Sequence, residues 1–330
     1  MQALSLEALS LDEHLAEALS PDPLRDQTSA IVGALAEAGA IVADLLADPD
    51  ANDELERRVR DIFMRCLRAA PVGAIAASHS GGWEHGDASA DLAVALAPAI
   101  DQGSIDASVP VGAIFSILRC SPDADPFTGD LGAPVAAGFF VHGARTRLIL
   151  TLGDGVDVFT LYPRGVWRRS RGKALAPAGT QEFAIDAANS RHWDDAIRLY
   201  IDDCVKGADG PRGRNFTMRW TGSLVGEALR ILNRGGVYLD PADQRPEQRE
   251  GRASLLFEAR PIAFVMEQAG GKASTGRERI LDRSVVSLDQ TTPLIFGAAA
   301  KVDHIARLHT SPEGRAERSP LFGRRGLFRN

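Results

Sequence analysis

The stretch Leu92–Leu118, LAVALAPAIDQGSIDASVPVGAIFSIL, constrains the fold of this chain more than any other. Its two apolar runs, Leu92–Leu96 and Val111–Leu118, are short, are bounded by Pro98 and Pro110, and read as largely buried strands. Between them Asp101, Gln102, Gly103, Ser104 and Asp106 make a polar loop held close to the core. On its own this is a polar turn with Gly103 supplying the bend. It is also the setting in which binding and catalytic groups collect, on a loop carried by a rigid scaffold.

With 330 residues the chain is long enough for a large core and for two domains or closely packed lobes. A net charge of −7 argues against a general nucleic-acid binder. The exception is a basic tail from about residue 311, where Arg315, Arg318, Arg324, Arg325 and Arg329 form either a contact surface or a solvated terminus. The start, MQALSLEALSLDEHLAEAL, has acids and no basic leader, and no apolar run reads as long enough to span a bilayer, so the expectation is a cytoplasmic protein. Cys66, Cys120 and Cys204 are isolated, without ligand spacing, and read as packing residues in a reducing compartment.

Helical spacing of Ile31, Leu35, Ala38, Ile41, Val42 and Leu45 predicts an amphipathic helix over 28–48, stopped by Pro49. Leu55, Val59, Ile62, Phe63, Cys66 and Leu67 predict a second, with Asp53 and Glu56 as a capping pair. A strand over 72–77 then enters a Gly- and Ser-containing loop bearing His79, Glu84 and His85. Beyond the central stretch, strands are expected over 135–141, 147–152 and 156–162, with Gly153-Asp154-Gly155 as a hairpin turn. Helices over 192–205, 222–233 and 261–269 and a closing helix to about 308 alternate with strands over 236–239, 254–258 and 294–297. The fold class is therefore α/β, with a strand-rich α+β first lobe and an α/β second lobe.

The segment Arg219–Asp282 carries four motifs in order: Arg219–Val225 (RWTGSLV), Gly235-Gly236 before a strand, Leu255–Glu258 (LLFE) and Ala263–Ala273 (AFVMEQAGGKA). With EFAIDAANSRHW (Glu182–Trp193) and the central stretch, they resemble class I fructose-1,6-bisphosphatases, over most of the chain. The resemblance implies the layered sugar-phosphatase fold, with a metal-site lobe to about residue 185 and a lobe carrying sugar-phosphate contacts from 186 to 330. It also implies a homo-oligomer, a tetramer, and magnesium-dependent hydrolysis of the 1-phosphate of a sugar bisphosphate in central carbon metabolism. Magnesium takes hard oxygen ligands, so that chemistry needs several converging carboxylates.

Carried over residue by residue, the family's ligands survive unevenly. Glu258 keeps the acid of the LLFE motif and Glu56 stands for the helix acid, whereas the family's paired glutamates fall at Ser78 and His79 and the acids of its Asp-Pro-Leu-Asp loop at Ala97 and Ile100. A one-residue slip would make Asp101 a third metal ligand. For the phosphorylated sugar, Arg219, Trp220, Gly222, Ser223 and Arg252 occupy contact positions, with Asp186 and Asp240 where the family has an asparagine and a tyrosine. Two carboxylates facing a phosphate repel it unless each is paired with an arginine. Three readings stay open: a phosphatase weakened or silenced at its metal site, a non-catalytic phosphosugar-binding or regulatory subunit paired with an active homologue, and a different hydrolase using a site built on His79 and His85 with Glu84. No nucleic acid or membrane partner is expected.

Overall fold

The computed structural model describes residues 9–19, 24–48, 54–121, 124–170 and 172–310. The basic tail, Pro49 and Asp53 lie outside the described residues. Three helices come first, α1 (Leu11–Ala18), α2 (Arg25–Ala47) and α3 (Leu55–Arg68). A strand-rich segment follows, with β1 (Ala74–Ala77), β2 (Trp83–His85), β3 (Leu92–Ala99), the short helix α4 (Gln102–Asp106), β4 (Val111–Arg119), β5 (Ala136–His142), β6 (Arg147–Thr151), β7 (Asp157–Tyr162) and β8 (Val166–Arg169). The rest alternates: β9 (Glu182–Ile185), α5 (Asp195–Val205), β10 (Thr217–Met218), α6 (Leu224–Arg234), β11 (Val237–Asp240), β12 (Ala253–Ser254), α7 (Arg260–Gln268), β13 (Gly271–Ser274), β14 (Thr291–Thr292), β15 (Leu294–Ala298) and α8 (Ala299–Thr310).

The first eight strands form one sheet in the order β2-β1-β3-β4-β5-β6-β7-β8, and a second has the order β10-β9-β11-β15-β13. Side chains of β3 alternate between two cores. Leu92, Val94 and Leu96 face α2 and α3, where Ile31, Leu35, Val59 and Phe63 bury. Ala93, Ala95 and Ala97 face the other way, in one cluster with Val225 and Ile231 of α6, Ile262 and Met266 of α7, and Tyr238 and Phe296 of the second sheet. A third cluster joins Phe183, Ile185 and Leu239 to Ile197, Tyr200 and Ile305 of α5 and α8. The result is five layers, helix–sheet–helix–sheet–helix. A strand buried on both faces has no polar side, which is why β3 and β4 read as continuous apolar runs.

Several expectations change in detail. The predicted strand over 254–258 is only the two-residue β12, followed by a wide helical turn, Leu255–Ala259, that runs into α7. Ser254 caps that turn by accepting from Phe257 N–H at 3.3 Å, and Leu255, Leu256 and Phe257 are all buried. A short fully apolar run fits a buried helix as well as a strand. The loop after β1 contains an edge strand, β2, antiparallel to β1. Strands β8, β9, β10, β13 and β14 and helix α1 are additional, and the polar turn expected around Gly103 is the short helix α4. Helix α3 begins at Leu55 with Glu54 in a left-handed conformation (φ 54°) and no side-chain cap. Helix α2, at 23 residues, is apolar and long enough by length and composition alone to cross a bilayer. Here Ile31, Leu35, Ala38 and Val42 of that helix are spent on the core against the first sheet.

Candidate active site

The segment between β10 and α6 is fixed from both ends. Gly222 holds φ at 77°, a left-handed conformation that glycine adopts without strain, and Ser223 caps α6 by accepting from Gly226 N–H at 3.0 Å. Thr221 donates its N–H and hydroxyl to the buried Glu227 carboxylate at 2.9 and 3.1 Å, and Arg230 Nε donates to the same group at 2.8 Å. Arg219 at the start of this segment stays 53% exposed, 3.9 Å from Glu182. That carboxylate is already bound by Arg230 Nη1 at 2.9 Å and Arg234 Nη2 at 2.6 Å. Arg234 above all, then Arg230, hold Glu182 below the usual carboxylate range. Three guanidiniums against two buried acids, Glu182 and Glu227, leave the exposed Arg219 end with the excess positive charge. Trp220 stacks on Tyr238 (5.8 Å, 9° between planes), and Tyr238 on Phe296 (4.9 Å), so an aromatic wall stands beside that charge.

At the end of β11 the charges are cancelled. Arg252 Nε donates to Asp240 Oδ1 at 2.9 Å, with Nη2 on the same oxygen. Burial, reinforced by Asp186 and Asp243, nevertheless pushes the Asp240 carboxyl above its ordinary range. Asp186 accepts from Ala188 N–H at 3.1 Å and Asn189 Nδ2 at 2.8 Å, and Asn189 Oδ1 accepts from Arg245 Nη2 at 3.1 Å. Arg245 itself is bound to Asp243. Of the sugar-phosphate candidates, Asp186, Asp240 and Arg252 thus share one electrostatic environment, while Trp220 reaches it through Tyr238. Sequence reasoning missed Glu182, Glu227, Tyr238 and the Asp243–Arg245 pair. Arg230 and Arg234, one helical turn apart on α6, were the signal for a buried acid opposite them.

Glu258 sits in the turn before α7, which packs on β3 and β4. Its carboxylate accepts from Ser254 N–H at 2.8 Å. Burial, with Asp240 adding to it, raises its proton affinity, while the Ser254 bond and His79 oppose the rise. Ser78 is buried at the end of β1 and donates its N–H to Leu96 at 2.8 Å. His79 follows it, exposed and left-handed (φ 59°). Ala97 lies in the core shared with α6 and α7, and Ile100 in the core beneath α2 and α3. Asp101 is exposed and spends Oδ1 on capping α4, accepting from Ser104 N–H at 2.8 Å. Glu56, exposed on the first turn of α3, shares a groove of about 490 Å³ with Asp101, Arg57 and Arg60.

The three expected metal ligands are therefore not one ligand set: Glu56 and Asp101 line a surface groove that does not include Glu258. Among the described residues no three His, Cys, Asp or Glu side chains are grouped to hold a metal ion, which also leaves His79, Glu84 and His85 without a joint site. Glu84 is bound instead by Arg68 through two 2.8 Å hydrogen bonds. A hard octahedral cation needs several oxygens at about 2.1 Å, and methyl groups at Ala97 and Ile100 supply none. The residues present do not fit magnesium.

Family models describe both halves of the chain: "Fructose-1-6-bisphosphatase, N-terminal domain" matches residues 59–171 and "Fructose-1-6-bisphosphatase, C-terminal domain" matches 176–310. A "Fructose-1,6-bisphosphatase class 1" of Rhodopseudomonas palustris is 43% identical, covering 98% of this chain and 99% of that protein. A "Fructose-1,6-bisphosphatase class 1 1" of Nitrobacter hamburgensis is 44% identical over 97% of this chain and 99% of its own length. Among solved structures, Leishmania major fructose-1,6-bisphosphatase in its holo form superposes with a TM-score of 0.84 at 25% identity, covering 92% of this chain and 100% of that one. With its layered α/β architecture matched over 92% of its length and a relative 43% identical over 98% of it, the chain belongs to the class 1 fructose-1,6-bisphosphatase family.

Proposed function

We propose that this chain is a phosphosugar-binding member of the family in which magnesium-dependent hydrolysis of the 1-phosphate is lost. The observation that carries the reading is the fate of the central loop, whose ligand positions are Ala97 and Ile100, each buried in a different hydrophobic core. Replacing either by an acid would cost core packing, so the loop is committed to structure. Metal ions supply several kcal/mol of stabilisation to the charge that develops in phosphoryl transfer, and their loss lowers the rate by roughly 1,000-fold or more. Binding survives because it needs only cations and a wall: Arg219 is half exposed beside Trp220, and Arg252 stands at the end of β11, where its pairing with Asp240 cancels that carboxylate's repulsion of a phosphate. In this reading the metal-site lobe runs to about residue 185 and the lobe with the sugar-phosphate contacts follows it.

The chain works as an oligomer in a reducing cytoplasm, either with itself or with an intact relative. Arg219 stands exposed, open to a second subunit, and Cys66, Cys120 and Cys204 are all free thiols. The test is phosphate release from fructose 1,6-bisphosphate with magnesium, alongside calorimetric titration of the same sugar. Binding without turnover, weakened in Arg219→Ala, is the expected result. Turnover at ordinary enzyme rates, about 10 per second, would overturn it.

A further inference from the structure

On the side of the second sheet covered by α5 and α8, three cations line one pocket that has no acid in its lining. Arg212, Arg214 and Lys301 line a pocket of about 300 Å³ together with Gln181 and Phe216. Lys301 projects from α8 and is 8% exposed. Its ammonium lies 4.9 Å over the Phe216 ring. The Arg212 guanidinium is wedged between two rings, 4.9 Å from Tyr200 and 4.8 Å from Phe216, and its buried Nη1 has no hydrogen-bond partner. Burial first, then Arg212 and Arg214, push the Lys301 ammonium towards losing its proton. The one group acting in the other direction is Cys204, whose own thiol is pushed up to about 11 by burial and is therefore neutral at pH 7. A buried cation facing like charges is unfavourable unless a counter-ion joins it.

The pocket is also preformed. Asn215 Oδ1 accepts from Ala208 N–H at 3.0 Å, and Gly213 N–H donates to Gly210 at 3.1 Å, so the loop carrying Arg212 and Arg214 is tied down at both ends. Phe216 leads into β10, where Thr217 N–H donates to Gln181 at 2.9 Å. We propose that Arg212, Arg214 and Lys301 form a binding site, separate from the candidate active site, for a small phosphate-bearing metabolite. Guanidiniums and an ammonium are the side chains that satisfy a phosphate's several oxygens, and the volume is at the lower end of the range that small-molecule sites occupy. The phenyl and phenol rings hold one face of the cations and leave their remaining N–H groups to the ligand.

The test uses the full chain, with thermal unfolding and calorimetry against inorganic phosphate, glycerol phosphate and citrate. Phosphate and glycerol phosphate should raise the melting temperature of the wild type and of Arg219→Ala alike, because ligands that bind only the folded state stabilise it. Lys301→Met should lose at least about tenfold in affinity, as truncation at a buried charge pair does. Without ligand Lys301→Met should melt no lower than wild type, since it removes an uncompensated buried charge, which shows that the loss is not unfolding. Arg212→Gln serves as the second variant. Affinity unchanged in both variants, loss of binding in Arg219→Ala, a stronger response to citrate than to phosphate, or no binding of either phosphate compound would each overturn the proposal.

Discussion

Glu258 shows how one side chain separates a structural from a catalytic site. Its carboxyl is raised by burial, so between about pH 4.5, where the unfolded chain releases this proton, and its own higher value the folded protein holds more protons than the unfolded one. Stability contributed at low pH is then lost as pH rises through that window. Glu258→Gln cannot ionise and keeps an oxygen for the Ser254 N–H, so the variant should equal wild type near pH 4.5 and exceed it at pH 7.5 in urea denaturation. Magnesium should add nothing to either protein. A magnesium-dependent rise in wild-type stability that the variant lacks would restore Glu258 as a metal ligand. Asp240 titrates in the same direction, with Arg252 opposing the effect of its burial.

Among the elements, α2 is the one whose packing leaves least room. A Cβ on Gly39 would stand 2.4 and 2.7 Å from ring atoms of Phe140, which is buried on β5. The absence of a side chain lets the helix approach the sheet at this crossing. Gly39→Ala gains about 1 kcal/mol of helix propensity but overpacks the core, and strain of about 1–3 kcal/mol follows. The expected outcome is a lower urea midpoint with an unchanged slope. Elements differed in how well their sequence announced them. Helices α2, α3 and α6 showed themselves by periodicity, and Gly153 and Gly155, both at positive φ, marked the β6–β7 hairpin. The Leu255–Ala259 turn did not, because three consecutive buried residues erase any period.

At the scale of the molecule, the two sheets are locked through α7, whose Ile262–Met266 are all buried between them. Arg260 at its start is 2% exposed and spans the join: Nη1 donates to Arg283 at 2.9 Å and Leu281 at 3.2 Å, and Nη2 donates to Gly132 in the loop before β5. Arg260→Met keeps the volume and strands three carbonyls. Leaving buried acceptors unmet costs on the order of 3 kcal/mol in total, to be read as a drop in the unfolding free energy of the whole chain.

Composition, periodicity and motif order were enough to determine the fold class, the family and the absence of acids at 97 and 100, because these depend on residue type and spacing along the chain. Long-range pairing was not legible in the same way. Only the folded chain placed Ala97 and Ile100 in separate cores, put Glu258 in a helical turn rather than a strand, parted it from Glu56 and Asp101, and gathered Arg212, Arg214 and Lys301 into one pocket. Arg212 and Lys301 are 89 positions apart, and β10 and α8 meet only after both have packed on the second sheet. Charge in a folded protein acts through distance in space and through burial, and neither is a property of the sequence read in order.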